Sequence, residues 1–320
     1  LTSDGASNCW TISGKHTQSG KPILSNDPHL PNSMPSLFFL AKLYLPHNVI
    51  TGASLPGTPV FPTGSNNKIS WGVTTENSDN TDICEEIIDN NSYFTHDNTF
   101  IPLRTTTEII NVKSSLPHTI TVQWTQHGPI ISQTIPRSFL MLNEPFHSQS
   151  KLSFRNPMYT SNFTSIDFYF KLNHARSSAD FLPYTQLHST PNYNLHWSTT
   201  TNEIGWTPIG RFPVKPYHNG FCKGYSNNYN RGDKQYIPLA DIPKLINPRK
   251  GFIISANNKF ASFNYTYQLH GHHNHVRAYR LRQLITSHIN NNHSITINDT
   301  VEMMNDVHDS LAEATLPKLL

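Results

Sequence analysis

Cysteine is scarce: the 320 residues hold three, Cys9, Cys84 and Cys222. That excludes a disulfide framework, and at most one pair forms with one thiol left over. Charged residues make up only 14% of the chain, and the net charge is +3 with His neutral. Lys and Arg are scattered, with no basic stripe interleaved with aromatics, so nucleic acid is a poor partner. No apolar run approaches the roughly 18 residues of a membrane span; the longest, Leu37 to Ala41, suits a strand or a short helix. No internal repeat is visible. The chain opens on Leu1 rather than Met, which reads as a fragment or as a chain cut from a precursor.

Present in quantity are Pro, at 23 residues, and Asn, Ser and Thr, which break the chain into short segments. Ile69–Val73, Thr119–Trp124 and Gly251–Ser255 are rich in β-branched and aromatic residues and predict strands. Asp167–His174 also reads as a strand, with a capped turn of helix at Ser177–Asp180. Val276–Ile289 carries Tyr279, Leu281, Leu284, Ile285 and Ile289 on roughly one helical face. A second helix is expected over Asp299–Leu319, capped by Asp299 or Thr300. The balance is α+β with many antiparallel strands.

The chemistry begins at Gly5-Ala6-Ser7-Asn8-Cys9-Trp10. A serine hydroxyl is a weak nucleophile that needs a base. A serine at a chain terminus carries its own, an α-amine with a pKa of about 8. Taken alone, the motif also fits a turn entering a strand. It is followed by Gly20–Leu30 with Ser25-Asn26-Asp27-Pro28-His29, by Leu55–Pro59, and by Asn67–Thr75 with Ser70-Trp71-Gly72-Val73. Later come Asn202–Trp206, Gly210–Pro213 and Gly251–Asn258. In this order and spacing the chain resembles the penicillin acylase family, which includes cephalosporin and acyl-homoserine-lactone acylases. The resemblance runs from about Gly5 to the end.

The resemblance implies a four-layer αββα sandwich of the N-terminal-nucleophile hydrolases, incomplete in this chain. It divides the chain into a linker remnant, residues 1–6, and the first part of a catalytic chain, residues 7–320. Ser7 matches the nucleophile, freed when the precursor cuts itself just before it; Ala6 stands where the family usually has Gly. His29 matches an imidazole expected to orient the Ser7 hydroxyl or amine. The Thr75 N–H and the Asn257 side chain match the oxyanion donors, and Arg277 matches a residue that holds the site's polar network, with Arg280 as the alternative. Leu30 and Thr63 match positions lining the acyl pocket. Asp79, the Thr81 carbonyl and Asp82 match part of a structural calcium site, although the Asp expected near Gln268 or Leu269 is missing.

His270-Gly271-His272-His273-Asn274-His275 invites a zinc reading as well. The implied activity is cleavage of a linear amide through an acyl-enzyme, in a periplasmic or secreted protein. Its partners would be an upstream α chain from the same precursor and a small acylated-amine substrate. No cofactor is required beyond the calcium candidate. The rival readings are an inactive fragment and a non-catalytic secreted β-rich protein. Alone, the 320-residue chain is expected to be poorly soluble and inactive unless the missing segments are supplied.

Overall fold

The computed structural model describes residues 6–132, 150–160, 165–215, 221–223, 236–262, 264–267 and 269–319. Most of the linker remnant, residues 1–5, therefore lies outside the described residues, as does Gln268.

The strands in chain order are β1 Ala6–Ile12, β2 Ile23–His29, β3 Phe39–Leu45, β4 Asn48–Ser54, β5 Thr63–Ser65 and β6 Ile69–Thr75. They continue with β7 Asp82–Asp89, β8 Ser92–Phe94, β9 Phe100–Pro102, β10 Arg104–Ile110, β11 His118–Trp124 and β12 Ser150–Arg155. The last are β13 Tyr193–Thr199, β14 Ile204–Ile209, β15 Phe221–Lys223, β16 Leu245–Ile246 and β17 Phe252–Ser255. The described α-helices are α1 Ser165–His174, α2 Val276–Asn290, α3 Ile297–Met304 and α4 Ser310–Leu319. None of them is long and apolar enough to cross a membrane.

Two sheets make the centre. One has three strands in the order β17-β1-β2; the other has seven, in the order β16-β14-β13-β6-β5-β4-β3. Side chains alternate across a strand, and β1 uses both of its faces. Trp10 and Ile12 meet Ala278, Leu281 and Ile285 of α2 and Met303 of α3 in one apolar cluster. On the far side of the seven-stranded sheet, Trp71, Leu195 and Trp197 pack with Phe168, Tyr169 and Leu172 of α1. Helices, sheet, sheet and helix thus stack as the expected αββα sandwich. A smaller sheet, β12-β7-β8-β9 with β15 beside β7, and the β10–β11 hairpin complete the described fold.

The two central sheets meet through a largely polar layer. Asn26 on β2 donates to the carbonyls of Asn8 and Val73, each at 2.9 Å, and accepts the Val73 N–H at 3.1 Å. One amide side chain therefore bonds backbone on β1 and β6. It fits because residue 72 is glycine: a Cβ there would lie 2.8 Å from the Asn26 Cβ. Behind it, the Ser255 hydroxyl bonds both Thr74 at 2.8 Å and His196 at 2.9 Å.

Two local readings change. Residues 165–174 are helical rather than extended, because Phe168, Tyr169 and Leu172 share the face that packs on the seven-stranded sheet. The alternation in Asp167–His174 is satisfied equally by a helical stripe at i, i+1 and i+4. The expected helix over Asp299–Leu319 is two helices, with the break at Asn305. Its cap is Thr296, whose hydroxyl accepts the Asp299 N–H at 3.2 Å while Asp299 accepts the Thr296 N–H at 2.7 Å. This is a reciprocal capping box in which Asp299 is the third helical residue.

Gly205 sits against the face of the buried Trp197 ring, and a Cβ on it would come within 2.0 Å of that ring. Gly205→Ala is expected to cost about 1–3 kcal/mol, the usual penalty for overpacking a core, read from urea unfolding. An unchanged midpoint would mean that the ring has room to move.

Candidate active site

Ser7 lies on β1 with its side chain directed between the sheets. Cross-strand neighbours share a face, and the register pairs Ser7 with Pro28, Ala6 with His29 and Asn8 with Asp27. Asn257 follows β17 with φ of 61°, a left-handed conformation that asparagine adopts more readily than most residues. That turn returns its side chain to Ser7. The Ser7 N–H donates to Asn257 Oδ1 at 2.8 Å, and Asn257 Nδ2 donates to Ser7 Oγ at 3.2 Å. The same Nδ2 donates to the Thr75 carbonyl at 2.8 Å, which fixes the end of β6 beside the serine.

Arg277, in the first turn of α2, completes the frame. It donates to the Ser7 carbonyl at 2.9 Å, to Asn8 Oδ1 at 2.5 Å and to Asn257 Oδ1 at 2.8 Å. Partial burial lowers its pKa, with Asp27 opposing the shift. Arg280 instead forms a two-point pair with Asp306, at 2.6 and 3.3 Å. One turn of helix places Arg277 over β1 and directs Arg280 to Asp306, so Arg277 is the arginine of the site.

Ser7 opens into a mainly apolar cleft of about 210 Å³, lined among others by Leu30, Phe38, Leu55, Val73, Thr75 and Tyr193. Leu30 is thus where the sequence reading put it. Thr63 is not. Its hydroxyl donates to the Trp71 carbonyl at 3.2 Å, and it lines a separate groove of about 950 Å³ between β2, β4 and α3; Pro62 reaches the Ser7 cleft instead. The larger groove is lined by none of Ser7, Thr75, Asn257 and Arg277.

His29 also stands elsewhere. Its register partner is Ala6, so it shares the helix-facing side of the sheet with Asn8. Its Nε2 lies 2.8 Å from Asp27 Oδ2 and 3.4 Å from Asn8 Nδ2, and it lines a cavity with Arg277 and Arg280. The spacing in the motif was legible; the pleat that sends residue 29 to the opposite face from residue 7 was not.

Asp79, Thr81 and Asp82 do come together, but around the ammonium of Lys215. The histidine run after residue 269 does not form a ligand set among the described residues. The His270 carbonyl instead accepts the Asp79 N–H at 2.6 Å. A grouping that does form, His288, His293 and Asp299, involves the aspartate already engaged in the α3 cap.

Asn8, Asn26 and Glu76 were missed as parts of the site. Asn8 and Asn26 lie inside the motifs that carried the resemblance, so their positions were visible and their bonds were not. Glu76 separates two cleft residues, Thr75 and Asn77. It is fully buried, and its carboxylate accepts the Ser78 N–H at 2.8 Å and bonds the Ser78 hydroxyl. Burial pushes its pKa up to about 8, against the opposing pull of the Ser78 N–H and Lys259. The folded state therefore keeps a proton that the unfolded chain has released, and stability falls as pH rises through this window. Unfolding free energy should decrease between about pH 4.5 and about pH 8, and Glu76→Gln should flatten that slope. Equal slopes in urea titrations of both proteins would assign the proton to another group.

The whole chain, residues 1–320, matches the family model described as penicillin amidase. It is 28% identical over 270 residues to the acyl-homoserine lactone acylase QuiP of Pseudomonas aeruginosa, covering 82% of this chain and 31% of that protein. It is 26% identical over 260 residues to the penicillin acylase 2 proenzyme of Pseudomonas sp. strain SE83, covering 80% and 32%. The chain thus spans about a third of the length of these curated relatives. Among solved structures it superposes on the thermostable penicillin G acylase of Alcaligenes faecalis with a TM-score of 0.70 at 20% identity, over 88% of this chain and 49% of that one. Sequence and architecture agree: the chain belongs to the penicillin amidase family.

Proposed function

We propose that the protein carrying this chain is an amidohydrolase that uses Ser7 as an N-terminal nucleophile. The observation that carries the reading is the double hold of Asn257 on Ser7, at its N–H and at its hydroxyl. The first step is self-cleavage. Ser7 Oγ attacks the Ala6 carbonyl, and the acyl group moves from nitrogen to oxygen, which frees the α-amine; water then hydrolyses the ester, releasing the Ala6 carboxylate and restoring the Ser7 hydroxyl. That amine is the base for the second reaction, since His29 lies on the other face of β1 and β2.

In the second reaction the amine takes the hydroxyl proton and Oγ attacks the substrate's amide carbonyl. The Asn257 amide, already 3.2 Å from Oγ, and the Thr75 N–H stabilise the oxyanion. The carbon–nitrogen bond breaks, the leaving amine takes the proton, and water hydrolyses the acyl-serine to release the acid. Arg277 holds the Ser7 carbonyl and Asn257 Oδ1 in place throughout. The apolar lining of the cleft suits an apolar acyl group.

We further infer an upstream chain from the same precursor as partner. Strand β3 is the edge of the seven-stranded sheet and exposes Phe39, Leu40 and Tyr44, and an exposed apolar edge of this kind calls for a cover. A periplasmic or secreted location goes with this reading.

Ser7→Ala should abolish both self-cleavage and amide hydrolysis, while Ser7→Cys should still cut itself, because a thiol performs the same acyl shift. N-terminal sequencing reads the first and release of a chromogenic amine the second; normal processing of Ser7→Ala would remove Ser7 from the mechanism. Asn257→Ala should lose about 2.7–4 kcal/mol of transition-state stabilisation, seen as a fall in kcat with little change in KM. A raised KM at unchanged kcat would make Asn257 a substrate-binding residue instead.

A further inference from the structure

The three oxygens that the family resemblance gives to calcium are held by a lysine. Lys215 Nζ lies 3.1 Å from Asp79 Oδ1 and 2.9 Å from Asp82 Oδ1, and it donates to the Thr81 carbonyl at 3.1 Å. An ammonium has three N–H donors, so each has an acceptor. The side chains of Lys215 and Asp82 are 3% and 1% exposed. The second Asp82 oxygen is taken by Arg155 at 3.2 Å. Two carboxylates thus face the Lys215 ammonium and the Arg155 guanidinium, so the cluster supplies its own positive charge.

The residues do not fit calcium as they stand. Calcium takes about six to eight oxygens at roughly 2.3–2.6 Å, whereas these oxygens sit at hydrogen-bond distance from a nitrogen. The space left beside Lys215, bounded by Phe212, Pro213 and His270, is about 10 Å³, the size of a single water at most.

The cluster also occupies a consequential place. Asp79–Asp82 follow directly on Thr75 and Asn77, which line the Ser7 cleft, while Lys215 lies beyond β14. The ammonium therefore ties the connection between β6 and β7 to a segment more than a hundred residues away. We propose that Lys215 is a built-in cation standing in for a structural calcium, so that this protein holds the cleft-side segment from Glu76 to Asp82 without any metal.

Thermal unfolding of the purified full-length protein tests this. The wild type should melt at the same temperature in EGTA and in millimolar calcium chloride. Lys215→Met, which keeps the length and removes the charge, should melt roughly 10 °C lower, because it strands buried carboxylates. Adding Asp79→Asn to it removes the carboxylate that loses its cation and should recover at least half of that loss. Clear stabilisation of the wild type by calcium, or a Lys215→Met protein that melts with the wild type, would overturn the proposal. If Lys215→Met does not fold, the double variant decides: a folded protein supports the proposal, and one equally unfolded overturns it.

Discussion

The side chain of Asn257 is the constraint on which the rest of this structure depends. Through one amide it accepts the Ser7 N–H and an Arg277 N–H, and it donates to the Ser7 hydroxyl and the Thr75 carbonyl. Those groups belong to β1, α2 and β6, so three layers of the sandwich converge on one residue. The geometry requires Asn257 to leave β17 in a left-handed turn. It also requires the two sheets to sit at a fixed offset, which the Asn26 bonds across β1, β2 and β6 supply. Burying an amide is costly unless its donors and acceptors are paired, and those of Asn257 are. The cost of burying polar groups is thereby turned into positional precision at the serine.

The polar layer between the sheets extends that logic away from the cleft. Ser255 joins Thr74 to His196, while Asn194 donates to Thr74 and accepts the Trp206 indole N–H at 3.2 Å. Burial lowers the His196 pKa to about 3, so the imidazole is neutral at ordinary pH and the layer carries no charge there. The apolar stabilisation comes from outside it, where Trp10 and Ile12 meet α2 and α3 and where Trp71 and Trp197 meet α1. Hydrophobic burial clamps the sandwich from its two outer interfaces, and hydrogen bonds set the register within.

Charge is handled in separate compartments. Arg277 faces the serine and Arg280 one turn later faces Asp306, so neighbouring guanidiniums on one helix serve different ends. Cys84, on β7, is disulfide-bonded, whereas Cys9, on β1, is buried and free. The disulfide thus lies on the smaller sheet and not on the strand of Ser7.

The sequence by itself determined the family, the α+β class, the strand over Ile69–Val73 and the helix from Val276, and it named Ser7, Thr75 and Asn257 as candidates for one site. Each rests on local order, because a motif at fixed spacing or an apolar stripe is written along the chain. Tertiary structure alone decided which face each of those residues took. His29 and Thr63 lie in the right motifs and point away from Ser7, because the pleat and the strand register assign faces only once strands have paired. It also decided between Arg277 and Arg280, since three residues along a helix turn a side chain to a different neighbour. Lys215 shows the limit most plainly. Nothing near it in sequence marks it as the partner of Asp79 and Asp82, and only the closure of a long loop brings the ammonium to those oxygens.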